Sequence, residues 1–123
     1  MKVLKFEDLK VYQKSIELQQ KIYQITKDFP KEERYSLTDQ IRRSSRSIGA
    51  NIAEAWQKRR YVAHFISKLS DSDSEQSETQ HWLRTSYLCN YINENQYKIL
   101  IEKCKYIGSM LGNIINHADK WCI

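Results

Sequence analysis

Three glycines (Gly49, Gly108, Gly112) and a single proline (Pro30) are all that 123 residues offer for sharp changes of chain direction. An all-β fold needs a turn about every ten residues, and its tight turns draw on these two residue types, so such a fold is hard to build from this chain. Long helices with few connections are the alternative. The length suits one domain spanning residues 1–123, with 41% hydrophobic and 28% charged residues as in globular proteins.

Apolar residues recur with helical rather than alternating spacing in four segments. The first runs roughly from Phe6 to Asp28 and stops before Pro30, which cannot continue a helix. It carries two apolar stripes. Val11, Leu18, Ile22, Ile25 and Phe29 make one, and Leu9, Tyr12, Ile16 and Tyr23 make the other, which suggests a second packing partner such as another copy of the chain. The second helix is expected to begin after Ser36, with the serine hydroxyl as its cap, and to bury Leu37, Ile41, Ile48, Ile52 and Ala55 or Trp56. Gly49, Ala50 and Ala53 are placed on its outward side, where small residues admit a close neighbour.

The third segment, roughly Tyr61 to Tyr91, has apolar ends and a polar middle, Ser70 to Glu78, where core positions fall on Ser72, Asp73, Gln76, Thr79 and Gln80. Both flanks keep one helical phase, which favours a continuous helix over a dividing loop. The fourth runs from about Gln96 to Lys120 in a coiled-coil-like register, after a polar connection in which Asn93 is a candidate cap. Short connections between long helices make antiparallel neighbours, giving an all-α, up-and-down four-helix bundle.

Charge is polarised along the chain. Between Arg34 and Arg60 there are seven basic residues and two acidic ones, enough to account for the whole net charge of +5. Arg42, Arg43 and Arg46 fall about 140° to 240° around the helical wheel from the apolar stripe of the second helix, and Lys58, Arg59 and Arg60 follow at its far end. Arginine forks bind phosphate oxygens, so these six residues are the candidate nucleic-acid-binding set. The alternative is a solvated or salt-bridged face that meets Asp71, Asp73, Glu75 or Glu78 of a neighbouring helix or subunit, as in a protein–protein assembly or adaptor module. Trp56 and Trp82 lie at or beside core stripes, so packing is their expected role rather than base stacking. Asn51 and Glu54 are expected to form a polar contact that fixes helix register.

No catalytic motif is visible, and no cofactor or metal is expected: His64, His81 and His117 lie far apart, and no phosphate loop or nucleophile motif occurs. Cys89, Cys104 and Cys122 are odd in number and widely spaced, which fits a reducing cytoplasm better than a disulfide framework. No more than three apolar residues run together anywhere, so neither a signal peptide nor a membrane span is expected.

The opening Phe6-Glu7-Asp8-Leu9-Lys10-Val11-Tyr12-Gln13, then Phe29-Pro30, Leu37-Thr38-Asp39-Gln40-Ile41-Arg42-Arg43-Ser44 and Ser47-Ile48-Gly49-Ala50-Asn51-Ile52-Ala53-Glu54, resemble the four-helix-bundle family encoded in intervening sequences of bacterial 23S rRNA genes. That S23-like family is in turn similar to the accessory variability protein of diversity-generating retroelements. The likeness covers nearly the whole chain, although Ala55 and Trp56 stand where the family usually has glycine after Asn-Ile-Ala-Glu. It implies a non-enzymatic bundle assembled into a homo-oligomeric, typically pentameric, ring with a basic surface that in some members binds nucleic acid or a reverse transcriptase. On that implication the chain itself, RNA or DNA, and a protein are the expected partners. The oligomer interface is expected at Leu9, Tyr12, Ile16, Tyr23, Gly49, Ala50 and Ala53, and the Arg42 and Arg43 pair matches the family motif.

Overall fold

Residues 2–123 are described in a computed structural model, and among them there are helices and no strand. The main helices are α1 (Lys10–Thr26), α2 (Leu37–Gln57), α3 (Val62–Leu88) and α4 (Glu94–Asn116), followed by a single turn, α5 (Ala118–Trp121). Short 3-10 turns at Phe6–Asp8 and Lys31–Glu33 precede α1 and α2. α2 packs most extensively on α3, and α1 on α2, α3 on α4 and α1 on α4 complete the bundle.

The ends of these helices have local causes. α1 closes with tightened bonds from Lys27, Asp28 and Phe29 to carbonyls three residues back, and Pro30 stops it. The turn after α3 is a Schellman motif: Tyr91 N–H bonds Ser86 O, Asn90 N–H bonds Tyr87 O, and Asn90 takes the left-handed conformation at φ 62°. Asn93 then caps α4 by a capping box, its Oδ1 accepting from Gln96 N at 2.8 Å while Gln96 Oε1 accepts from Asn93 N at 2.9 Å.

Apolar side chains from every main helix form one core, with Leu18, Ile22, Ile41, Ile48, Ile52, Leu69, Leu83, Ile107 and Leu111 almost completely enclosed. The polar middle of α3 is unbroken helix, as its phase suggests. Ser72 and Thr79 are fully buried and reach α2, Ser72 Oγ donating to Ile48 O at 2.8 Å and Thr79 Oγ1 to Ser44 Oγ at 2.9 Å. Small hydroxyl side chains let the two backbones approach while these buried oxygens stay bonded. Toward α4, a Cβ built at Gly108 would lie 2.9 Å from Gln76 Nε2, so this glycine accommodates α3 against α4; nothing lies within 4 Å of the same position at Gly112.

The structure corrects several sequence expectations. α1 starts at Lys10 rather than Phe6, because Leu9 is extended and separates the helix from the preceding 3-10 turn. Ser36 does not cap α2; its hydroxyl donates to Glu33 Oε1 at 2.7 Å instead. The fourth helix breaks at His117, and the residues expected to complete it form a separate turn. Gly49 does not face outward. It is buried against Ser15 Oγ and the Tyr12 ring of α1, 3.0 and 3.5 Å from where its Cβ would stand, and Leu9 is likewise in the core. The reason is that a bundle helix meets two neighbours, so the buried arc of α2 extends past its apolar stripe to the side that faces α1. Asn51 and Glu54 do not meet: Asn51 Nδ2 donates to Ser47 O, and Glu54 pairs with Lys68.

Candidate nucleic-acid interface

α1 and α2 form a hairpin, and its connection brings the last turn of α1 beside the first turns of α2. A groove of about 690 Å³ lies there, lined by six cationic side chains (Lys27, Lys31, Arg34, Arg42, Arg43, Arg46) and one carboxylate, Asp39. Tyr23 supports three of the cations: Lys27 Nζ lies 4.8 Å from its ring centroid, and the Arg42 and Arg46 guanidinium carbons lie at 4.8 and 5.5 Å. Arg42 is further fixed by its Nε–H, which donates to Thr26 Oγ1 at 2.8 Å; Thr26 in turn donates to Ile22 O. One edge of the guanidinium is thereby committed, and the terminal amino groups remain for an oxyanion.

Arg43 is turned elsewhere. Its Nη1 is 3.0 Å from Glu75 Oε2 and its Nη2 bonds Glu78 Oε2, so its fork spans two successive turns of α3. Trp82 Nε1 donates to the same Glu78 oxygen at 3.0 Å, and these two donors, the Trp82 bond foremost, hold the Glu78 carboxyl below its usual 4.5. The Arg43 guanidinium is held correspondingly more firmly in its charged form, chiefly by Glu78. Part of the acidic tract thus neutralises an arginine within one chain.

A carboxyl whose folded pKa is depressed stabilises the fold in full above the unfolded value and loses that contribution as pH falls through the folded value. Arg43→Ala is therefore expected to lower stability by no more than about 1 kcal/mol near neutral pH, given the exposure of the pair. The difference from the unmodified chain should close in acid, below the folded pKa of Glu78; urea unfolding at both pH values checks it. A difference independent of pH would mean that the ion pair contributes nothing.

The remaining candidates occupy the other end of α2. Arg59 lies flat on Trp56, its guanidinium carbon 3.5 Å from the ring centroid, and its Nε–H donates to Trp56 O; Lys58 and Arg60 are exposed. Arg42 and Lys58 are sixteen residues apart, about 24 Å along a helix, so the six predicted residues form two separate basic ends. Of the expected oligomer contacts, Ala50 is exposed, Tyr12, Ile16 and Ala53 are half-buried, and Tyr23 is the aromatic support of the groove. Lys27, Lys31, Arg34 and Thr38 are groove residues that the sequence reading does not single out. The signal for Thr38 is its spacing, since 38, 42 and 46 share one face of α2, whereas the other three depend on the fold of the connection.

Among the described residues no group of three or more His, Cys, Asp or Glu is placed to hold a metal ion, and no helix is long and apolar enough to cross a membrane. A family model for the 23S rRNA-intervening sequence protein matches residues 7–113. A crystal structure of a protein of unknown function from the S23 ribosomal protein family of Bacteroides thetaiotaomicron VPI-5482 is 36% identical and superposes with a TM-score of 0.78, covering 86% of this chain and 95% of that one. No curated protein matches the chain in sequence.

Proposed function

The chain belongs to the 23S rRNA-intervening sequence protein family, and from that premise we propose that it is a non-enzymatic nucleic-acid-binding bundle that grips RNA through phosphates in the α1–α2 groove. The observation that carries the reading is the groove itself: five cations outside any ion pair among the described residues (Lys27, Lys31, Arg34, Arg42, Arg46), one carboxylate, and two of those arginines oriented over a tyrosine ring. Such a surface offers charge and forked donors, and it offers no array of uncharged donors and acceptors of the kind that reads base edges. Affinity should follow salt more than sequence.

Cys104 is not an accessible nucleophile, since its thiol is fully buried and burial alone pushes its pKa up to about 12. Assembly into a homo-oligomer is part of the same proposal, because repeated grooves on one particle act together on one strand. An apolar groove of about 460 Å³ between α1 and α4, lined in part by Ile25, Ile99 and Leu100, supports it, with Ile99 48% exposed beside it.

The test is titration of a single-stranded RNA at rising salt, with the solution mass measured on the same preparation. About four phosphate contacts by one groove predict a loss of affinity on the order of fiftyfold between about 50 and 200 mM salt. Affinity that is flat across this range would sink the phosphate reading.

A further inference from the structure

We propose that the hairpin end of the α1–α2 groove is a site for a phosphomonoester, presented by the end of a nucleic-acid strand or by a free nucleotide. The strand-end form rests on the nucleic-acid reading above, whereas the site itself rests on Thr38. This residue is 7% exposed, and its Oγ1 is the one buried side-chain polar atom without a hydrogen-bond partner among the described residues. Buried hydroxyls elsewhere in the bundle are bonded: Thr26 to Ile22 O, Ser72 to Ile48 O, Thr79 to Ser44 and Glu75 O. Leaving such a group unbonded is costly, which singles out Thr38 as a donor awaiting an acceptor.

Thr38 lines the groove one helical turn before Arg42 and two before Arg46, so the three residues share one face of α2. Among the described residues neither arginine is engaged in an ion pair, nor are Lys27 and Lys31 on the opposite wall. Asp39 is the opposing carboxylate in the lining, and it leaves the surplus strongly positive.

The chemistry of the lining favours a monoester over an internal diester. A phosphomonoester carries a charge of about −1.5 to −2 near neutral pH and three terminal oxygens, whereas a diester carries one charge and two free oxygens. A hydroxyl donor, a guanidinium fork held by Thr26 and a pair of ammonium groups match the three-oxygen dianion.

The experiment is fluorescence anisotropy with one short single-stranded RNA sequence made with a 5′-phosphate, a 3′-phosphate or hydroxyls at both ends, and with a nucleoside monophosphate as competitor. One of the phosphorylated ends should bind about tenfold tighter than the hydroxyl-ended strand. Thr38→Val should abolish most of that preference, bringing the phosphorylated and hydroxyl-ended strands to similar affinities, and Thr38→Ser should retain it. Because Thr38 Oγ1 makes no bond within the chain, the valine variant is expected to fold; if it does not, the comparison of strand ends on the unmodified chain decides alone. Equal affinity for all three strands overturns the proposal and leaves the nucleic-acid reading standing. Binding of the monophosphate without RNA binding retains the site and overturns that reading, and failure of both ligands overturns both.

Discussion

Arg42→Ala combined with Arg46→Ala is expected to weaken RNA binding about a hundredfold at moderate salt, while Arg43→Ala changes it by less than about threefold. Both arginines of the first pair rest on the Tyr23 ring in the groove, and a hydrogen bond to Thr26 fixes Arg42. Their charge is uncommitted, so removing either one from its phosphate costs about 1.4 kcal/mol, and the slope of affinity against salt should fall by roughly one per arginine. Arg43 has its fork occupied by Glu75 and Glu78. Lending it to a phosphate would strand two carboxylates on α3, and the exchange gains little. Measuring the slopes of the single variants in parallel separates local binding from bulk charge, because Arg43→Ala and Arg42→Ala alter net charge equally. Equal losses from all three arginines would mean that only the summed charge matters and that the groove has no privileged role.

This division between adjacent arginines is not legible in the sequence. A helical wheel places Arg42, Arg43 and Arg46 together on the side away from the apolar stripe, and it has no information about which residues of α3 lie across from them. The Arg43 partners are 32 and 35 positions away, and their approach is set by the register of α2 on α3. By contrast, the continuity of α3 is legible despite its polar middle. Ser72, Gln76 and Thr79 continue the phase of Leu69 and Leu83, and all five are buried. Period carries that inference where hydrophobicity gives no signal. Gly49 shows the converse. The wheel sets its direction correctly, but an outward label assumes a single inward face, and contact with α1 makes a second. Thr38 stays hidden for a third reason, since an unbonded hydroxyl is defined by everything around it.

Ile48→Ala is expected to destabilise the fold by about 2–5 kcal/mol, the largest effect of any single substitution proposed for this chain. Ile48 has no exposed surface and sits midway along α2. Truncation removes the transfer free energy of three carbon atoms and leaves a void that two long helices cannot close without shifting their register. For a chain of 123 residues the midpoint of thermal unfolding should fall by roughly 10 °C or more. Ser72→Ala is the informative companion. The Ser72 hydroxyl donates to the carbonyl of Ile48, but that carbonyl keeps the helical bond that α2 supplies, so no buried acceptor is orphaned and the cost should stay near 1 kcal/mol. Urea unfolding of the two variants thus weighs packing against hydrogen bonding at one point of the α2–α3 seam. If Ser72→Ala proved the more costly, the seam would be held by its hydroxyls, and the apolar stripe of α2 would not be the principal source of the bundle's stability.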